Sequence, residues 1–157
     1  MLDHYSLIRC KHGLIACEKD DMIATVLRLY GEWAENSFAL LKNVIPKNGT
    51  VIDIGSNIGT LTLAFANQVT HQGRVIAFEA QQRVFYNLCT NLMLNNLAWV
   101  EAHQCLISDH NGSTQISMHQ LDKRKDGSMN RGGVSFTSVL ESPKRYIGTN
   151  IIDIHTL

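Results

Sequence analysis

The sequence predicts an α/β protein built on a doubly wound parallel sheet, and two stretches carry that prediction. Thr50-Val-Ile-Asp-Ile54 is a short β-branched run, apolar apart from Thr50 and Asp53, bounded upstream by Pro46-Lys47-Asn48-Gly49. That is the pattern of a buried strand. After Gly59 the period changes, and Ile58, Leu61, Phe65 and Val69 fall on one helical face. A strand that turns through glycines straight into a helix opens a βαβ unit. The second stretch, Arg74-Val-Ile-Ala-Phe-Glu79, reads as the next strand and ends in an acid.

The other elements follow in order. Leu7–Lys11 and Leu14–Glu18 flank His12-Gly13 and read as a small hairpin. Asp20 and Asp21 can cap a helix with Ile23, Val26, Leu27 and Tyr30 on one face. Gly31 interrupts it, and a second helix is expected over residues 34–44, burying Phe38, Leu41 and, at its end, Ile45. The strand at 50–54, its helix and the strand at 74–78 come next, with Thr70-His-Gln-Gly73 as the turn between the last two. Gln81 to Asn95 reads as a helix with Phe85, Leu88 and Leu92 on its apolar face and Asn87, Asn91 and Asn95 on another. Trp99–Ile107 is expected as one strand, Asp109-His-Asn-Gly112 as a turn, and Thr114–Met118 as a strand. Residues 120–133 are the most polar stretch and read as a loop; Val134–Val139 and Ile151–His155 are further short strand candidates.

At 157 residues the chain is expected to be a single domain, with residues 1–48 as hairpin and helices and 49–157 as the βαβ core and following strands. Apolar content of 45% and a formal charge of zero describe a globular protein with no overall pull toward nucleic acid or anionic membrane. No apolar run approaches the ~20 residues of a membrane span, and the first residues lack a signal-peptide core. Cys10, Cys17, Cys89 and Cys105 form no C-x-x-C pair, so free thiols in a reducing cytoplasm are expected. The seven histidines are scattered singly, without ligand-like spacing, and no metal is expected.

The turn chemistry selects a ligand class. A dinucleotide loop would read Gly-x-Gly-x-x-Gly, because a pyrophosphate needs bare backbone. Here the spacing is Asp53-x-Gly55-x-x-x-Gly59, with Asn57 inside the turn. Asp53 would repel a pyrophosphate but suits a cationic or hydroxyl-rich ligand. Glu79, ending the second strand, stands where a doubly wound sheet accepts both ribose hydroxyls of an adenosine. An acid on strand one, a glycine turn and an acid ending strand two together describe an S-adenosylmethionine site.

On these residues the sequence resembles the FkbM-type class I methyltransferases. The resemblance rests on Val51, Asp53, Gly55, Asn57 and Gly59, then Phe78-Glu79, then Leu88, Asn91 and Asn95. Gly31-Glu32-Trp33 upstream, Ile107-Ser108-Asp109 with Gly112 downstream, and Asn130-Arg-Gly132-Gly133 match it too. Ala80 departs from it, standing where the family often has proline. The resemblance implies a Rossmann-like sheet of the class I methyltransferase type and S-adenosyl-L-methionine as cofactor. It implies methyl transfer to a hydroxyl of a sugar or other small molecule. The matching fold needs a fourth strand beyond the three seen, so the chain is expected to be the cofactor-binding half of a longer protein, incomplete at its C-terminus. A non-catalytic cofactor-binding fragment is the alternative, and a nicotinamide oxidoreductase a weaker one.

The candidate cofactor-binding residues are Asp53, Gly55, Ser56, Asn57, Gly59, Glu79, Ala80, Ser108, Asp109 and Glu32; no catalytic residue is assigned. Asp53 is expected to shape the turn beside the amino acid part of the cofactor, Glu79 to take the ribose, and Asn57 to orient the loop through its side chain. Ser108 and Asp109 either border the adenine or start a turn. Gly31-Glu32-Trp33 is either a flap over the cofactor or a kink with a packed Trp. Asn91 and Asn95 read as part of a helix end rather than as ligands, and Lys123-Arg-Lys125 as a solvated loop.

Overall fold

The computed structural model describes residues 4–117 and 146–156. The chain opens with an antiparallel hairpin, β1 (Tyr5–Cys10) and β2 (Gly13–Glu18), in register from Tyr5 opposite Glu18 to Cys10 opposite Gly13. Helix α1 (Met22–Tyr30) starts at Asp21, whose Oδ1 accepts the Ile23 N–H at 2.7 Å. It stops at Gly31, left-handed at φ 70°, whose N–H returns to the Leu27 carbonyl. Its buried face is Ile23, Ala24 and Leu27; Tyr30, expected on that face, is 73% exposed. Helix α2 (Glu35–Leu41) is shorter than expected. Ala34 lies outside it in the left-handed region, and beyond Leu41 the N–H groups of Val44 and Ile45 both close on the Leu41 carbonyl. Pro46 follows and disfavours helical geometry in the residue before it.

The central sheet is built from β3 (Thr50–Ile54), α3 (Thr60–Val69), β4 (Arg74–Phe78), α4 (Gln82–Leu94) and β5 (Glu101–His103), with parallel strands in the order β3-β4-β5. Side chains alternate across it. Val51, Val75, Ala77 and Ala102 pack in one core with Leu63, Phe65 and Val69 of α3 and Val84, Leu88 and Leu92 of α4. Helices α3 and α4, which connect the parallel strands, both pack on that face. The opposite face carries Ile52 and Ile54, 46% and 50% exposed. This corrects the expectation of a strand buried on both faces. Among the described residues β3 has a neighbour on one side only, and the helices cover one face.

The expected strand over Trp99–Ile107 is two strands serving different sheets. β5 pairs with β4 as far as His103, where the Glu79 N–H reaches the His103 carbonyl at 3.1 Å. There β4 ends and turns toward α4, so the chain beyond Gln104 has lost its partner. It continues as β6 (Cys105–Ser108), which pairs in parallel with β8 (Tyr146–Asp153); β8 pairs antiparallel with β7 (Gly112–Ser117). A 3-10 turn, Ile154–Thr156, follows. The expected loop at 120–133 with its Lys123–Lys125 run, and the expected strand at Val134–Val139, lie outside the described residues. Among those described, no helix is long and apolar enough to cross a membrane.

The hairpin joins the rest through side-chain amides. Asn95 and Asn91 of α4 face the outer edge of β2, one turn apart. Asn95 Oδ1 accepts the Leu14 N–H and its Nδ2 donates to the Leu14 carbonyl, both at 2.7 Å. Asn91 does the same for Ala16, at 2.7 and 3.1 Å, and Asn87 adds a second donor to the Ala16 carbonyl at 3.1 Å. Helix α4 thus supplies the groups that a third strand would present to this edge. The asparagine at 95 does cap the helix C-terminus, as expected, but its side chain and that of Asn91 bind β2. Between hairpin and sheet lies α3, and so Thr62, Leu63, Ala64, Phe65, Ala66 and Val69 are all buried, more than one amphipathic stripe. Asn95→Ala leaves the Leu14 N–H and carbonyl without these partners, and should lower stability by about 1–3 kcal/mol, measured by urea unfolding; a change within about 0.5 kcal/mol would contradict the ladder.

Candidate functional site

The turn from β3 into α3 passes through three left-handed residues, Gly55 (φ 80°), Asn57 (φ 51°) and Gly59 (φ 91°). The N–H groups of Gly55 and Ser56 both donate to the Phe78 carbonyl at 2.9 Å, tying the end of β3 to the end of β4. Ser56 is buried, and its hydroxyl donates to the Asp53 carbonyl at 2.8 Å. Asn57 Oδ1 accepts the Ile58 N–H at 2.8 Å. The two glycines differ in purpose. A Cβ on Gly59 would come 2.7 Å from Leu88 Cδ1, so that glycine lets α3 approach α4. A Cβ on Gly55 would meet no heavy atom within 4 Å; it would project into open space beside the turn.

Two acids flank this turn. Asp53 accepts the Thr62 hydroxyl at 2.6 Å, so the end of β3 is bonded to the first turn of α3. Burial pushes the Asp53 carboxyl above its usual range, with Thr62 and Ser56 pulling it back. Glu79 is 6% exposed; its Oε2 accepts the Asn57 N–H at 3.0 Å and its Oε1 the Gln81 N–H at 2.9 Å. Burial raises its pKa too, opposed by the backbone N–H groups of Gln81, Asn57 and Ala80, while the charge of Asp53 adds an upward push. Ala80, buried beside it, continues the turn into α4. Among the described residues neither acid is paired with a cation.

Glu32 lies on a second wall. A small pocket is lined by Lys11, His12, Glu32, Trp33, Thr60 and Leu63, which sets the Glu32-Trp33 segment against the first turn of α3. Glu35 fixes that segment: its Oε1 is 2.6 Å from Lys11 Nζ and its Oε2 is 2.8 Å from His12 Nε2. Lys11 also reaches Glu32 Oε2 at 3.5 Å, and the His12 ring meets Phe38 edge-on at 5.0 Å. Ser108 and Asp109 end β6, in the other sheet. Their side chains bond each other at 3.1 Å, and Asp109 holds His110 at 2.8 Å, a local turn with Asp109 87% exposed. His110 and Ser108 hold the Asp109 carboxyl below its usual range.

Asp53, Gly55, Ser56, Asn57, Gly59, Glu79 and Ala80 are therefore gathered by contiguous backbone, and Glu32 approaches them through Thr60. Sequence reasoning missed Thr62 as the partner of Asp53 and missed the Lys11–Glu35–His12 group. A threonine one turn into the helix, facing the acid of the preceding strand, was the available signal for the first. The second joins residues more than 20 positions apart and left no local pattern.

No protein-family model matches the chain. Over 74 residues it is 30% identical to Methyltransferase 1 of Beauveria bassiana (strain ARSEF 2860), an alignment covering 47% of this chain and 29% of that protein. The chain thus spans less than a third of this relative. Its structure is similar to that of a provisionally described transferase from Pyrococcus horikoshii, with a TM-score of 0.50 and 14% identity over 74% of this chain and 55% of the other. A provisionally described rRNA methylase from Clostridium thermocellum aligns with a TM-score of 0.45 and 25% identity, covering 48% of this chain and 41% of that one. Parallel β3-β4-β5 with its crossover helices, together with the Pyrococcus likeness, gives the chain a Rossmann-like α/β fold.

Replacing Glu79 by Gln tests the clamp. A carboxylate accepts at both oxygens, whereas a carboxamide turns an N–H₂ toward either the Asn57 or the Gln81 N–H. Glu79→Gln should cost about 1.5–3 kcal/mol, read by thermal or urea unfolding at neutral pH. Unchanged stability would mean that the carboxylate does not hold the turns together.

Proposed function

We propose that the chain binds S-adenosyl-L-methionine at the β3–α3 turn and acts as a methyltransferase. The observation that carries this reading is the pair of acids that, among the described residues, have no cationic partner and flank a turn whose Gly55 faces open space. The residues fit the group. Glu79 accepts the Asn57 N–H on Oε2 and the Gln81 N–H on Oε1 and has acceptor capacity left over, which suits the hydroxyls of a ribose. The start of α3 has no side-chain cap, so its first N–H groups favour a ligand carboxylate. Asp53, held toward Thr62, contributes negative charge that suits a sulfonium or ammonium group. Bound there, the cofactor supplies a methyl group already activated on a cationic sulfur. The work left to the protein is to orient the partners and exclude water, and we assign part of that covering role to the Glu32-Trp33 segment, which lines a pocket with Thr60 at the start of α3 and whose Glu32 is paired with Lys11.

The name of the Beauveria relative agrees with this activity, and the motif order agrees with the FkbM-type branch of class I enzymes. That branch favours a hydroxyl of a sugar or other small molecule as the methyl acceptor. The free cysteines agree with a cytoplasmic setting. Calorimetric titration with S-adenosylhomocysteine, beside NADH as the competing dinucleotide, tests the assignment. Binding of the first and not the second is expected; the reverse would overturn it.

Two further outcomes follow from the geometry. Gly55→Val should abolish binding of S-adenosylhomocysteine, because its side chain enters the open space, and should cost only about 1–2 kcal/mol of stability for the left-handed backbone. Retained affinity in a folded variant would move the ligand elsewhere. The pH dependence follows from Glu79. Its ionised form accepts the ribose hydroxyls, and burial moves its titration above the ordinary 4.5. Affinity should therefore be full at about pH 8 and should fall, as pH is lowered, at a higher pH than that at which an exposed glutamate protonates. The same sign applies to the free protein. Since the folded pKa is raised, folding gains stability as pH falls through that window. Calorimetry between about pH 8 and about pH 5 would show it; a flat affinity would argue against the ribose role.

A further inference from the structure

Of the three asparagines on α4, Asn91 alone also reaches the ligand-holding turn. It is fully buried, and its Oδ1 and both Nδ2 protons are hydrogen-bonded. Oδ1 accepts the Ala16 N–H at 2.7 Å, and the two Nδ2 protons go to the Ala16 carbonyl at 3.1 Å and the Ile58 carbonyl at 2.8 Å. Ile58 stands between Asn57, whose N–H is held by Glu79, and Gly59, which starts α3. The peptide that follows Ile58 is thus oriented by an amide whose other bonds are all to the hairpin. Among the described residues the Asn95 and Asn87 side chains hydrogen-bond to the hairpin, and Asn95 also to the Asn91 carbonyl, with no hydrogen bond to the turn.

We propose that Asn91 is a positioning residue that couples docking of the N-terminal hairpin to ligand binding at the β3–α3 turn. The inference rests on the reading of that turn as the S-adenosylmethionine site. Docking of β2 holds the Asn91 amide in the orientation that fixes Ile58; ligand that orders the turn must, by reciprocity, tighten the hairpin. A site that closes its cofactor turn only when the hairpin is seated joins the two ends of the described N-terminal region into one unit.

The test uses the 157-residue chain. Asn91→Asp keeps an acceptor for the Ala16 N–H but offers no proton to the Ile58 or Ala16 carbonyl, while Asn95→Ala cuts the bonds to Leu14 and to the Asn91 carbonyl and leaves the Asn91–Ile58 bond in place. Expected for Asn91→Asp are faster amide exchange across residues 55–60 in the free protein and a loss of S-adenosylhomocysteine affinity of about tenfold or more. Asn95→Ala should leave both within about twofold, although it lowers stability. In the unmodified chain, saturation with S-adenosylhomocysteine should shift the Asn91 side-chain amide resonances and slow exchange at residues 14–17. This measurement decides the matter if Asn91→Asp does not fold. Equal affinity and exchange in Asn91→Asp and the unmodified chain, or an Asn91 amide and hairpin indifferent to saturating ligand, would overturn the coupling. Failure of the unmodified chain to bind S-adenosylhomocysteine would instead overturn the ligand assignment and the coupling with it, while the exchange rates at 55–60 would still decide whether Asn91 positions the turn.

Discussion

A carboxylate at the end of β4 cannot be buried without donors, and meeting that demand organises the site. Glu79 takes the Asn57 N–H from one turn and the Gln81 N–H from the next. One residue earlier, the Phe78 carbonyl takes the N–H groups of Gly55 and Ser56. Two consecutive residues at the end of one strand thus satisfy the backbone of the turn leaving its parallel neighbour. The glycine turn is not a free loop perched on the sheet. Its shape is set by what Phe78 and Glu79 accept, and the left-handed geometry at Gly55, Asn57 and Gly59 lets one short segment reach all of those acceptors.

The second demand comes from the hairpin. A two-stranded ribbon is marginal by itself and leaves an open edge. Here the edge is met by carboxamides at one-turn spacing on α4, each presenting an acceptor and a donor as a peptide does. Asparagine suits this because its short side chain brings the amide close to the helix, where glutamine would hold it farther out. The arrangement traps α3 between ribbon and sheet, which accounts for a helix buried on more than one side. It also explains why Gly13 is required at the hairpin, where a Cβ would fall 2.3 Å from Asn95 Oδ1.

What could be read from the sequence was what local period and turn chemistry encode. The strand–turn–helix at 50–69, the acid closing the strand at 74–78, the Asp21 cap and the helix from Gln82 all announce themselves within one window of residues. The expected strand over 99–107 failed because pairing partners are not local. Whether Gln104 continues a strand depends on where β4 stops, and β4 stops because Glu79 turns away. Likewise the apolar run at 51–54 says that the strand can be buried on both faces, while the exposure of Ile52 and Ile54 depends on which elements lie beside it. The asparagine spacing at 87, 91 and 95 was visible, but its meaning lay in β2, some 70 to 80 residues away. For the site, the residues that supply backbone geometry and charge were legible. Those that brace them, Thr62, Glu35 and Asn91, were not, because each acts on a partner chosen by the fold.

The charges divide in a way that bears on the ligand. Glu101 pairs with Arg74 on the surface, where water already screens the pair, and the half-buried Glu35 and Glu18 pair with Lys11 and Arg83, so these acids are neutralised by cations. Asp53 and Glu79 are treated differently: they receive hydroxyl and amide donors, which support a negative charge without cancelling it. A lysine or arginine beside either acid would fill the local demand for positive charge. Dipolar donors leave that demand standing, at the cost of carboxyl groups whose titration burial pushes upward. A chain of zero formal charge thereby keeps a localised negative site beside an open glycine. Such a site discriminates by charge as well as shape: a pyrophosphate is repelled by the acids that a hydroxyl-bearing cation would satisfy.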